Sequence, residues 1–125
     1  MAPAAPQSAA PGPPVGSVQA VVLGVTVEPL KVAAGSQAVL VVTYEVRGLP
    51  PGSVAEVTER RVILRAGEVL TTLEATVARQ AGIHRSTQPL VVPASLAPGV
   101  LELRVTVKAG GPESSGQTLF EVTSR

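Results

Sequence analysis

The residues able to do chemistry are few, and their types narrow what the chain can be. The 125-residue sequence holds one histidine, His84, no cysteine, and neither aspartate nor asparagine. Thiolate metal sites and disulfides are therefore ruled out by composition, and His84 alone can furnish neither a zinc ligand set nor the base and orienting acid of a catalytic triad. Calcium loops lean on Asp and Asn oxygens, so none is expected here. His84 is expected to be a solvent-exposed loop residue.

All nine acids are glutamates. Most fall at alternating positions between apolar residues, as do Glu28, Glu45, Glu74 and Glu102, and Glu113 falls in a turn. Outward charges of this kind keep a sheet soluble and are a poor start for a paired-carboxylate acid and base. No catalytic residue, cofactor or metal is expected. The densest charge cluster is Glu56, Glu59, Arg60, Arg61 and Arg65. It reads either as a polar contact surface or as cross-strand ion pairs on a solvated sheet.

The elements that would carry these residues are strands. From Val18 onward, short apolar runs alternate with polar residues and are separated by turn signals, with no sustained helical period. Leu23, Val25 and Val27 form one run, ended by Pro29. Leu40, Val42, Tyr44 and Val46 form the inward face of the next. Val54 to Leu64 is a third strand, in which strict alternation would turn a charge inward at Glu59-Arg60-Arg61. A bulge or an edge position there would resolve the conflict. Leu73, Ala75 and Val77 share a face of the fourth, a looser stretch covers Arg79 to Gln88, and Leu90-Val91-Val92 follows. Leu101, Leu103, Val105 and Val107 alternate with polar residues, and Phe120 and Val122 end the series. About seven strands with a turn every ten residues or so predict an all-β antiparallel sandwich over residues 18–125. Met1 to Ser17, rich in Pro, Ala, Gly and Ser, reads as a linker or N-terminal arm.

The C-terminal half carries a resemblance. Leu90-Val91-Val92-Pro93, Leu96-Ala97-Pro98-Gly99, the alternating run Leu101 to Val107, and Phe120-Glu121-Val122 resemble the last three strands of bacterial immunoglobulin-like domains, fibronectin III-like in type. The run Gly35 … Leu40-x-Val42-x-Tyr44-x-Val46 is similar to their second strand. The resemblance implies an Ig-like sandwich, and a place in a secreted, periplasmic or cell-surface protein or a phage structural protein. Leu101 stands where such domains often carry a corner tyrosine, so closure of that corner is expected to rest on packing and on the Pro98-Gly99 turn.

Function is then narrowed by exclusion. A net charge of +1, scattered basic residues and only two aromatics, Tyr44 and Phe120, leave neither a basic stripe nor stacking platforms for nucleic acid. Polysaccharide binding lacks aromatic platforms for the same reason. No run approaches the ~20 apolar residues of a membrane helix, and the N-terminus lacks the pattern of a secretion signal. The expectation is a non-enzymatic Ig-like module of a longer exported protein, a spacer or protein-interaction domain in the periplasm or at the cell surface. The alternative is a structural subunit of a fibre or a phage capsid decoration protein, a homo-oligomer whose N-terminal arm reaches a neighbour. Val39, Val41 and Thr43 face away from Leu40, Val42 and Tyr44, so they either lie beneath another segment or mark a contact patch. Together with Glu59, Arg60 and Arg61 they are the expected interaction surface.

Overall fold

A computed structural model describes residues 18–124. The expected N-terminal linker, Met1 to Ser17, lies outside the described residues. Eight strands follow one another: β1 (Gln19–Glu28), β2 (Lys31–Ala33), β3 (Gln37–Arg47), β4 (Ala55–Arg65), β5 (Glu68–Arg79), β6 (Gly82–Val91), β7 (Gly99–Lys108) and β8 (Ser114–Thr123). They form an antiparallel sandwich of a three-stranded sheet, β1-β3-β6, and a five-stranded sheet, β2-β8-β7-β4-β5. Only the short β2, lying parallel to β8, departs from the antiparallel pattern. No helix occurs among the described residues.

The core is a direct reading of the alternation. Leu40, Val42, Tyr44 and Val46 of β3 are fully buried and face Val57 and Ile63 of β4, Leu103, Val105 and Val107 of β7, and Phe120 and Val122 of β8. Each such side chain contributes about 1.5–3 kcal/mol by leaving water, which outweighs the weak intrinsic preference of any one strand. Leu101 is buried in this cluster too, so packing rather than a tyrosine hydroxyl holds its corner.

Two parts of the sequence reading are corrected. The loose stretch from Arg79 to Gln88 is mostly strand β6, paired with β3 from Gly82 to Val91. Its pattern was hidden because its inward positions, His84, Ser86 and Gln88, are polar. No apolar alternation marked it, and hydrogen bonding to β3 makes the strand instead. The conflict at Glu59-Arg60-Arg61 is also not resolved by a bulge or an edge. β4 lies inside its sheet between β5 and β7, and its register runs unbroken through these residues, the only shift against β5 coming at Ile63/Leu64. Glu59 and Arg61 therefore point into the protein.

The two flanks of the sandwich differ. Along one, β1 packs against β8, where Gly116 leaves room for Val22 and Val25. A Cβ added there would lie 2.8 Å from Val22 Cγ1 and 3.0 Å from Val25 Cγ2. The Val22 amide donates to Ser114 Oγ at 2.9 Å across the same seam. Along the other flank, β5 and β6 are edges of different sheets, and polar side chains span the gap between their layers.

Candidate functional site

Continuing the alternation of β4 inward places Glu59 and Arg61 side by side in the interior, each 2% exposed. Their neighbours come from three other strands. Tyr44 of β3 donates its hydroxyl to Glu59 Oε2 at 2.5 Å, and Ser86 of β6 donates to Glu59 Oε1 at 2.6 Å. Arg61 Nη1 reaches Glu59 Oε1 at 3.3 Å, and its Nη2 donates to both the carbonyl and the hydroxyl of Ser86. Arg79, at the end of β5, donates Nε to the Tyr44 hydroxyl at 3.0 Å and brings Nη2 to 3.5 Å from Glu59 Oε2. One carboxylate is thus held by four partners on four strands.

The electrostatics follow from this cage. Burial by itself pushes the Glu59 carboxyl up, but hydrogen bonds from Ser86 and Tyr44 and the charges of Arg61 and Arg79 outweigh it and hold the group below its usual range. The Tyr44 hydroxyl is pushed up to about 12, first by burial and then by its hydrogen bond to Glu59, with Arg79 opposing. Glu59 is therefore ionised and Tyr44 protonated at neutral pH. Arg61 Nε is the one buried side-chain polar atom without a partner among the described residues.

His84 sits beside this cluster and not in a loop, which corrects its expected place. It pairs with Tyr44 in the β3–β6 register, the two rings tilted with centroids 6.0 Å apart. Its Nε2 donates to the Gln80 carbonyl oxygen at 2.7 Å. The Ser86 hydroxyl donates to Glu59 instead of to an imidazole. What this arrangement does chemically is to tie the two sheets together across their polar flank.

The expected interaction surface is dispersed. Glu59 and Arg61 are interior, so they cannot form part of a contact surface, because unbroken alternation turns them inward. Arg60 is exposed on the outer face of the five-stranded sheet, opposite Glu74 and Thr106. Val39 and Thr43 are half-buried on the outer face of β3, while Val41 between them is only 2% exposed. The covering is an ion pair. Glu28 of β1 stands opposite Val39 and Arg85 of β6 opposite Thr43, and the guanidinium meets the carboxylate at 3.0 and 3.2 Å, bridging β3 diagonally over Val41. Missed by sequence reasoning were Tyr44, Arg79 and Ser86 as partners of Glu59. Parity along β4 and β5 puts Glu59 and Arg79 on one face, but Ser86 was out of reach until β6 was known to be a strand.

No group of three or more acids or histidines able to hold a metal comes together among the described residues. No family model matches the chain, and no curated protein does either. Solved structures do resemble it in fold. Spo0M, a sporulation control protein from Bacillus subtilis, superposes with a TM-score of 0.59 at 12% identity, over 86% of this chain and 50% of that one. The alkylpurine DNA glycosylase AlkC of Pseudomonas fluorescens, solved bound to DNA, superposes at 0.56 with 15% identity, over 82% of this chain and 30% of that one. The CARDB domain of a Pyrococcus furiosus protein, solved in complex with di-metal ions, superposes at 0.51 with 14% identity, over 86% of this chain and 89% of that one. The chain thus spans half of the first of these proteins and under a third of the second. At these identities the likeness is one of fold: a two-sheet β-sandwich that occurs both as a part of larger proteins and as a separable domain.

Proposed function

We propose that this chain is a non-enzymatic, Ig-like module of a bacterial envelope or secreted protein, serving as a spacer or protein-interaction domain. The observation that supports it is the placing of the two ends. Val18 lies against the turn between β7 and β8, where its carbonyl oxygen approaches Gly111. At the other end of the sandwich the last strand finishes beside Ala34, whose amide donates to the Thr123 carbonyl at 2.9 Å. Entry and exit are therefore at opposite poles, separated by a ten-residue strand of roughly 33 Å. A domain with this geometry adds length when it stands between neighbours. The CARDB likeness is compatible with a separable module, and the envelope setting rests on the Ig-like motif between Leu90 and Val122. Fold alone carries no function, so the reading leans on the ends.

Two copies of the chain joined head to tail test it by small-angle scattering in dilute solution. The expected result is a maximum dimension longer by at least one domain, roughly 33 Å. A particle that thickens without lengthening would overturn the spacer reading. Open-ended polymerisation of the single chain would favour a fibre subunit or capsid decoration protein.

A further inference from the structure

Sheet edges are the unused bonding capacity of this molecule, and four strands lie at them: β1, β6, β2 and β5. Three are blunted. β2 is three residues long, β1 carries a bulge at Leu23, where its register against β3 slips between Val22 and Gly24, and β6 contains Pro89 with Arg85 nearby. β5 also bulges, at Leu70, where its register against β4 slips between Val69 and Thr71, but the bulge lies near its start and leaves a long regular stretch beyond it. Its twelve residues hold no proline and only three charges, Glu68, Glu74 and Arg79, and almost every one is exposed or half-buried. From Thr71 to Arg79 it pairs with β4 without a register shift, leaving the opposite side of that stretch free.

We infer that the β5 edge is a docking surface for a second copy of this chain, pairing β5 with β5 antiparallel about a two-fold axis at Ala75. The inference deepens the interaction half of the reading above and is independent of the end-to-end geometry. The regular stretch of β5 is self-complementary. In a two-fold antiparallel pair, facing residues must lie on the same side of the sheet, so the axis passes through a residue. Ala75 is the midpoint of the regular stretch 71–79, and only there does the whole stretch pair with itself. In that register Leu73 faces the partner's Val77 on the inner side, twice by symmetry, and both are already half-buried against the core. On the outer side Glu74 faces Thr76 and Thr72 faces Ala78, so no like charges meet. Moving the axis to Glu74 would set that carboxylate against its own copy, which is destabilising. The product is one continuous sheet across both copies, with the bare edge consumed and no further edge of its kind left to propagate a fibre. An interface of a single strand pair lies at the small end of specific contacts, so a dimer with micromolar dissociation is expected.

The register makes a charge test possible at an exposed, outward position. Thr76→Lys sets an ammonium against each Glu74, and Thr76→Glu sets carboxylate against carboxylate. Sedimentation equilibrium of the full chain over micromolar to millimolar concentration should show a monomer–dimer equilibrium. Thr76→Glu should weaken it by about tenfold, and Thr76→Lys should preserve or tighten it, cross-strand pairs being worth a fraction of a kcal/mol each and counted twice. Thermal unfolding of both variants should stay near that of the parent, confirming that the fold is kept. A parent chain that remains monomeric throughout overturns the proposal. So does a dimer indifferent to both substitutions, a dimer weakened equally by both, or growth beyond two copies. Failure here leaves the scattering test of the end-to-end geometry untouched.

Discussion

The two flanks of the sandwich solve the same problem with opposite chemistry. Where β1 meets β8, the gap is closed by removing a side chain: Gly116 admits Val22 and Val25, and a single hydrogen bond from Val22 to Ser114 stitches the seam. Where β5 and β6 approach, the gap is spanned by long polar side chains, with Glu59 at the centre of bonds from Tyr44, Ser86, Arg61 and Arg79. Apolar closure depends on volume and is indifferent to pH. Ionic closure depends on every member being present and on Glu59 and its two arginines being charged, because a buried ion without its partner costs more than the pair ever contributed. The apolar flank is a finished seam beside the bulged β1 edge, and the ionic flank is the one that carries the β5 edge.

The largest effect should come from unpairing the ionic flank. Glu59→Gln keeps the shape but leaves the Arg61 guanidinium buried without a counter-charge, and a loss of about 3–5 kcal/mol is expected from denaturant unfolding. Replacing the pair together, Glu59→Met with Arg61→Leu, should recover most of that loss. A double variant no better than Glu59→Gln alone would show that the pair itself, and not the stranded charge, sets the energy.

Breaking the apolar flank should cost less. Gly116→Val drives methyl groups into Val22 and Val25, and overpacking of this kind costs about 1–3 kcal/mol. The variant should keep the pH dependence of the parent, since it leaves the ionic cluster alone.

That pH dependence separates the flanks most directly. The Glu59 carboxyl is held below its usual range, so the unfolded chain binds its proton first. The stability it contributes is present above the unfolded carboxyl pKa and is lost as pH falls through the lower folded value. Tyr44 works in the opposite direction: raised from 10.0 to about 12, it contributes stability that is full below pH 10 and lost as pH rises towards 12. Melting temperatures should thus fall on both sides. Glu59→Gln should flatten the acid limb, and Tyr44→Phe should flatten the alkaline limb. An acid limb unchanged in Glu59→Gln would assign it to surface carboxylates instead.

The smallest effect concerns the hairpin that presents β5. Ala66 and Gly67 form its two-residue turn, with φ of 51° and 83°, and alanine is disfavoured there. Ala66→Gly should stabilise by about 1 kcal/mol, and should leave both pH limbs where they were.

Much of the fold was legible in the chain because burial on a strand has a period of two. Leu40 to Val46 and Leu101 to Val107 each name their own inward face, and the turns at Gly35-Ser36 and Pro98-Gly99 mark where strands end. β6 was not legible, because His84, Ser86 and Gln88 occupy its inward positions and give no apolar alternation. The candidate surface failed for a related reason. Alternation said that either Glu59 and Arg61 or their neighbours must face inward, but it could not say that Tyr44, Arg79 and Ser86 would be waiting to receive them.

What the sequence by itself determined is therefore the class of structure and the excluded chemistry. Val-rich alternation commits the chain to strands, and the lack of cysteine removes thiolate metal sites and disulfides whatever the fold. What only the tertiary structure decided is where charge resides. Whether an arginine on a strand lies in water or in the core depends on what the opposite sheet places across from it, and that partner can be far away in the chain. Ser86 is 25 residues from Arg61 and 27 from Glu59, and Arg85 meets Glu28 over Val41 from 57 residues away. The Ser86 pairings are set when two sheets pack face to face and the Arg85–Glu28 pair by the strand order within one sheet, three-dimensional constraints that no local pattern of residues contains.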